Sequence, residues 1–113
     1  MKERKIVRAS YMGIVFDDNT VINAEHCPDC CENNYADFEQ IDDVALNYTF
    51  KGNIEFEAVD GSGFRFGDSR MKFFVPCYSE QNGYYSSDID IYWTDGNKVL
   101  TALKGLECEF VYR

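Results

Sequence analysis

Turn-forming residues recur at short intervals along this chain, and that spacing restricts it to a fold of short strands. The runs Gly13–Phe16 and Thr20–Ala24 flank an acidic turn, a pattern that predicts a hairpin. Asp88–Trp93 and Lys98–Leu103 flank an Asp-Gly-Asn sequence, which predicts another hairpin. No long stretch has the 3.6-residue periodicity of a helix, so we expect a chain built mainly of hairpins.

Two further segments alternate polar and apolar side chains, as half-buried strands do. Ile54–Val59 places its two glutamates on the side opposite to its apolar residues. In Leu106–Tyr112 the alternation puts Cys108 on the apolar face, where we expect it to pack as a small hydrophobic residue. Aromatic residues make up 16% of the chain, and they favour pleated surfaces over helices.

One segment, Asn34–Leu46, has helical features. Asn34 is a candidate N-cap, and Phe38, Ile41 and Ala45 recur at helical spacing. The same residues could also form a short strand, because the aromatic residues among them favour strands. We therefore predict an α+β or mostly β fold, with at most one short helix near 34–46. It is expected to be a single compact domain over residues 1–113, with an antiparallel sheet built of hairpins.

Acidic residues outnumber basic ones, 20 to 11, and give a formal net charge of −9. This charge repels phosphates and anionic lipids, so we expect neither direct nucleic-acid binding nor membrane binding. It would attract a basic protein surface, including one that normally holds nucleic acid. The first residues are charged, and no apolar run has the length of a signal or membrane-spanning segment. We expect a cytoplasmic protein, and an odd number of cysteines, 5, suits that reducing compartment.

The segment 26–32 concentrates potential metal ligands. Thiolate and imidazole ligands suit Zn²⁺, and the Cys-x-x-Cys spacing of Cys27 and Cys30 places two sulfurs on one ion. We predict a structural zinc site with four candidate ligands, namely His26, Cys27, Cys30 and Cys31. Residues that could substitute for a ligand, or hydrogen-bond to one, are Asp29, Glu32, Cys77 and Tyr84.

Two other interpretations of this segment stay open. It could be a tight turn with buried cysteines and a hydrogen-bonded histidine. It could also be a redox Cys-x-x-Cys motif, although no βαβ pattern surrounds it.

Three predicted strands carry an acid-x-acid pair on their polar side. The six residues are Glu55, Glu57, Asp88, Asp90, Glu107 and Glu109. If these strands are neighbours, the pairs form a broad negative face that could bind a Lys- and Arg-rich partner. The alternative is an ordinary solvated surface.

Two motifs carry a resemblance to a known family. Asp29-Cys30-Cys31-Glu32, three residues after His26, resembles the His-x-x-Asp-Cys-Cys-Glu block of a family of small uncharacterised phage and bacterial domains. Asn82-Gly83-Tyr84-Tyr85-Ser86 resembles the second signature of that family, and the similarity extends from about Gly13 to Trp93. Cys27 is not part of the family block, which favours His26, Cys30 and Cys31 as ligands. The resemblance implies phage or mobile-element biology in a bacterial host, without a mechanism.

These observations favour an interaction protein over an enzyme. The single histidine, His26, would have to serve as metal ligand and general base together. Phage-borne acidic domains of this size include inhibitors of bacterial defence nucleases, and the chain resembles an anti-CRISPR protein. Such a protein would cover the basic surface that a CRISPR-Cas nuclease uses for guide RNA or target DNA. The alternative function is a metal-dependent hydrolase or a redox protein using His26, Cys30 and Cys31.

Overall fold

Short strands make up most of the computed structural model, which describes residues 2–25, 33–81, 83 and 87–112. In chain order the strands are β1 Glu3–Arg4, β2 Ile6–Ser10, β3 Gly13–Phe16, β4 Val21–Glu25, β5 Asn33–Ala36, β6 Phe50–Lys51, β7 Glu55–Val59, β8 Gly63–Gly67, β9 Lys72–Gln81, β10 Asp88–Asp95, β11 Lys98–Glu107 and β12 Glu109–Tyr112. A 3-10 helix, Phe38–Gln40, and an α-helix, α1 Asp43–Asn47, lie between β5 and β6.

Five strands form the first sheet, sheet I, in the order β11-β10-β4-β3-β2, and every pair in it is antiparallel. Both predicted hairpins are confirmed, since β3 pairs with β4 and β10 pairs with β11. Gly13 begins β3 directly against the carbonyl of Ile22, where a Cβ atom would collide with that oxygen. Close approach of the two strands therefore depends on glycine at this position.

The second sheet, sheet II, has the order β12-β9-β8-β7, and β5 also pairs with β9, on the edge opposite to β12. Strand β9 is ten residues long and extends past the end of β8, so its second half has room for two further partners. Strand β5 pairs with it antiparallel and β12 pairs with it parallel. Among the described strands, the pair of β12 with β9 departs from the antiparallel sheet that the sequence predicts. A separate two-stranded pair joins β1 to β6.

One hydrophobic core lies between the apolar faces of the two sheets. Sheet I contributes Ile14, Ile22, Ile89, Ile91 and Trp93, and sheet II contributes Phe64, Phe66, Phe73, Val75 and Cys77. Phe50 is fully buried among aromatic rings, with its centroid 5.6 Å from that of Phe16 and 4.8 Å from that of Tyr48. Each large side chain buried in this way stabilises the fold by roughly 1.5–3 kcal/mol.

The segment Asn34–Leu46, predicted as helix or strand, contains both. Its first residues belong to β5, because their backbone completes hydrogen bonds to β9. Asp37 then accepts the N–H of Glu39, and Asp42 accepts the N–H of Val44, so each carboxylate caps a short helix. The predicted fold class is confirmed as a mostly β single domain, with one short α-helix in the part of the chain that the structure describes.

The closing strand Leu106–Tyr112 is interrupted at Cys108, which separates β11 from β12. The N–H of Cys108 donates to the carbonyl of Ser87 at 2.9 Å, which extends the Asp88–Glu107 register of β10 and β11 by one residue. Beyond this residue the chain leaves sheet I and joins sheet II as β12. Cys108 is 4% exposed, which confirms its expected packing as a small core residue.

Candidate functional site

The outward face of sheet I gathers carboxylates from three neighbouring strands. In β10 the buried Ile89 and Ile91 alternate with Asp88 and Asp90, which face outward. Residues that are Cα partners across antiparallel strands project to the same side of a sheet. Asp90 is the partner of Glu25 in β4, and Asp88 is the partner of Glu107 in β11. We call the surface formed by Glu25, Asp88, Asp90 and Glu107 the acidic face.

A β-bulge fixes one carboxylate of this face. The pairing of β10 with β11 shifts between Ile89 and Ile91, so that two residues of β11 lie opposite Asp90. One of them, Gly105, has a φ of 70°, and its N–H donates to Oδ1 of Asp90 at 2.9 Å. The hydroxyl of Tyr92 donates to Oδ2 of Asp90 at 3.3 Å. Asp90 is thus held in place by hydrogen bonds to uncharged donors.

The acidic face carries a local negative potential. The pKa of the Tyr92 hydroxyl is raised, first by desolvation, then by the charge of Asp90 and its hydrogen bond, and also by the charge of Glu25. Within the described part of the chain, no Lys or Arg nitrogen lies within 4.0 Å of the carboxylates of Glu25, Asp90 or Glu107. None of these three carboxylates therefore forms a close ion pair with a described Lys or Arg.

The other three predicted partner-binding residues lie on sheet II. Glu55 and Glu57 project from the outward face of β7. The Glu57 carboxylate lies 2.6 Å from Nη1 of Arg65, and the Glu55 carboxylate lies 3.5 Å from Nζ of Lys72. Glu109 is exposed on β12, where it is the Cα partner of Tyr78. The acidic pairs are therefore divided between two sheets, and those on β7 have cationic neighbours.

Sequence reasoning missed Glu25 as a member of the acidic face. It follows directly after the predicted strand Thr20–Ala24, and strand alternation alone could have placed it on the polar side. That Glu25 lies beside the predicted residue Asp90 could not be found in this way, because the pairing of β4 with β10 joins residues that are far apart in sequence.

A row of buried polar side chains lies on the inner side of sheet II, at the end near the acidic face. Ser79 donates to the Oδ1 of Asn34, and Nε2 of Gln81 donates to the Ser79 hydroxyl at 2.7 Å. Nδ2 of Asn34 donates at 3.3 Å to the carbonyl oxygen of Asp88. The last bond joins sheet II to the first residue of β10, so the row helps to position the strand that carries the acidic face.

The predicted zinc ligands His26, Cys27, Cys30 and Cys31 lie outside the described residues, as do Asp29, Glu32 and Tyr84. Strand β4 of sheet I ends at Glu25, and β5, which is paired to sheet II, begins at Asn33. Among the residues that the structure describes, no group of three His, Cys, Asp or Glu side chains is arranged to hold a metal ion. Cys77 is fully buried in the core.

A second polar feature is a cleft of about 440 Å³ that is bordered by β1 and the β10–β11 turn. Its floor contains Arg4, whose guanidinium lies 4.8 Å from the ring centroid of Trp93. The Nε of Arg4 lies 3.0 Å from the Asp18 carboxylate, and Nη1 donates to the carbonyl of Gly52. These contacts join β1 and the β3–β4 turn to the β6–β7 connection, which indicates a structural role for Arg4.

Comparison with protein-family models, curated proteins and solved structures yields no match to this chain. In the described ranges no helix has the length and apolar character needed to cross a lipid bilayer.

Proposed function

We propose that this is an interaction protein that binds the Lys- and Arg-rich surface of a partner protein through the acidic face. The observation that carries the proposal is the placement of Glu25 beside Asp90 and of Asp88 beside Glu107 on an outward sheet surface. Like charges directly opposite each other, as those of Glu25 and Asp90 are, destabilise a sheet. A cationic partner relieves this repulsion, so the unfavourable electrostatic energy of the free protein becomes a favourable contribution to binding.

The resemblance to phage and bacterial domains supports a more specific partner. We propose that the protein acts in the cytoplasm of a bacterial host as an inhibitor of a CRISPR-Cas nuclease. The channel that holds guide RNA and target DNA in such nucleases is strongly positive, and an acidic protein surface can compete for it. The net charge of −9 favours this partner over nucleic acid itself.

Binding to purified, guide-RNA-loaded CRISPR-Cas nucleases tests the proposal, with target-DNA cleavage as the activity readout. We expect the association rate to fall steeply between about 50 and 200 mM salt, because screening weakens attraction between exposed charges. The double variant Glu25→Lys with Glu107→Lys is expected to lower the association rate at low salt about tenfold or more. Both side chains are exposed, so the fold should be retained.

The matched control is the double variant Glu39→Lys with Asp95→Lys. It makes the same change in net charge at exposed positions on the 3-10 helix and at the far end of β10. An effect confined to the Glu25 and Glu107 variant supports the acidic face. Equal loss in both variants would attribute binding to net charge alone, and binding unaffected by salt would refute an electrostatic interface.

We also propose that segment 26–31 binds zinc, on the basis of its thiol and imidazole content. Metal analysis of untagged protein should find less zinc and a lower Tm for Cys30→Ser than for the parent chain, because ligand binding is coupled to folding. Cys108→Ser is the control, since Cys108 is a buried residue whose loss affects core packing. Equal zinc content in the parent and both variants would exclude Cys30 as a ligand.

A further inference from the structure

Two buried cysteines from distant parts of the sequence lie side by side in sheet II. The parallel register pairs Glu109 with Tyr78 and continues to the pairing of Tyr112 with Gln81. Extending that register back by one residue places Cys108 beside Cys77. Neighbouring strands are separated by about 4.8 Å, which is within the Cα separation of about 4.4–6.8 Å that a disulfide spans.

Both side chains point to the same side of the sheet. Cys77 is 0% exposed and lies two residues from both Val75 and Ser79 in β9, so it shares their buried face. Cys108 is 4% exposed and belongs to the same core cluster. The neighbouring Cys108 thiol, together with burial, raises the pKa of the Cys77 thiol far above its usual range, so the reduced Cys77 is held as a neutral thiol.

Access to the pair depends on β12. All four of its residues are exposed, and it lies at an edge of sheet II, where its pairing partner is β9. Edge segments with few buried side chains open locally at a low free-energy cost. Opening of β12 exposes the Cys108 thiol to an oxidant in solution.

We propose that Cys77 and Cys108 form a reversible disulfide that covalently joins β9 to the junction of β11 and β12. With oxidised glutathione as oxidant, the Cys108 thiolate attacks one glutathione sulfur, breaks its S–S bond and releases one glutathione thiolate. The Cys77 thiol then loses its proton and displaces the second glutathione, forming the protein S–S bond. The two protein thiols lose two electrons and two protons, and two glutathione thiols are produced.

Peptide mapping by mass spectrometry tests the proposal on the intact, native chain. Trypsin cleaves after Lys and Arg, so Cys77 falls in peptide 73–98, Cys108 in peptide 105–113, and the other three cysteines in peptide 9–51. After incubation with oxidised glutathione and alkylation, we expect peptides 73–98 and 105–113 to be recovered as one cross-linked species. That species should disappear on treatment with a reductant.

The cross-link should also raise the Tm by about 5 °C or more, since it closes a long loop in the unfolded chain. Cys108→Ala is the matched control and should show no oxidant-dependent rise in Tm from this pair. Recovery of both peptides as separate alkylated or glutathione-bound species would overturn the proposal. Recovery of either peptide linked to peptide 9–51 would overturn it as well.

Discussion

Carboxylates on the two sides of this molecule have different roles. Around sheet II they are matched with donors, as in the contacts of Glu57 with Arg65 and of Asp68 with several backbone N–H groups. On the acidic face of sheet I, Glu25 and Asp90 lie opposite each other. The first group stabilises the fold, whereas repulsion between the carboxylates of the second raises the free energy of the folded state.

Asp68 shows the first role most clearly. It is fully buried at the turn between β8 and β9, where its carboxylate accepts the N–H groups of Lys51, Arg70 and Met71 at 2.9–3.0 Å. The Tyr48 hydroxyl donates to the same carboxylate at 2.9 Å. Burial by itself raises the pKa of Asp68, but these hydrogen bonds outweigh it and lower the pKa to about 2.

The largest expected effect is on stability at Asp68. Asp68→Asn replaces one acceptor oxygen by an NH₂ group that faces other donors, and we expect a loss of about 3 kcal/mol in the free energy of unfolding. Urea denaturation at neutral pH measures it. The control is Asp90→Asn, which also loses an acceptor but removes repulsion from Glu25, and should cost less than about 1 kcal/mol. Equal losses in the two variants would mean that the two groups of carboxylates do not differ.

Acid should weaken the fold by protonating Asp18 and Asp68, whose carboxylates accept hydrogen bonds in the folded state. Burial raises the pKa of Asp18, but hydrogen bonds from Thr20 and Arg4 outweigh it and lower this pKa to about 2 as well. Because the folded pKa lies below the unfolded value of 3.8, the stabilisation is complete above about pH 4 and is lost as pH falls through 2.

Each of these two carboxyls, Asp18 and Asp68, should account for about 2 kcal/mol of that loss. Urea denaturation over this pH range measures the loss, and the slope should be smaller in Asp68→Asn, which has one fewer titrating group. An identical slope in the variant and the parent would contradict the assignment to Asp68.

The exposed ion pair on sheet II should contribute less. Glu57 and Arg65 have half-exposed side chains, 51% and 45%, so solvent screens their attraction. A double-mutant cycle with Glu57→Gln and Arg65→Gln should give a coupling energy below about 1 kcal/mol, decreasing with added salt. A coupling energy that is larger and independent of salt would show that solvent does not screen this ion pair, in contradiction to the prediction.

The smallest effect, with the opposite sign, is expected on the acidic face. Glu25→Gln removes the repulsion between Glu25 and Asp90 and should stabilise the fold by a few tenths of a kcal/mol at low salt. Added salt screens the same repulsion, so the gain should vanish as salt rises. Destabilisation by Glu25→Gln would show that Glu25 has a stabilising contact and does not belong with the uncompensated carboxylates.

Local features of the sequence were sufficient to predict the strands and hairpins. Period-two alternation and glycine- or aspartate-containing turns act between residues that are near in sequence, so Gly13–Phe16 and Asp88–Trp93 were found close to their true bounds. The segment after Asn34 was harder, because its first residues form a strand only by pairing with β9, more than forty residues away.

The sequence by itself determined a mostly β chain, an excess of negative charge and the burial of Cys108, since these follow from composition and alternation. Tertiary structure alone decided which carboxylates meet, why Glu55 and Glu57 have cationic neighbours, and that Cys77 lies beside Cys108. Each of these depends on strand order and register between distant segments, and the energy that selects a register comes from packing the whole core.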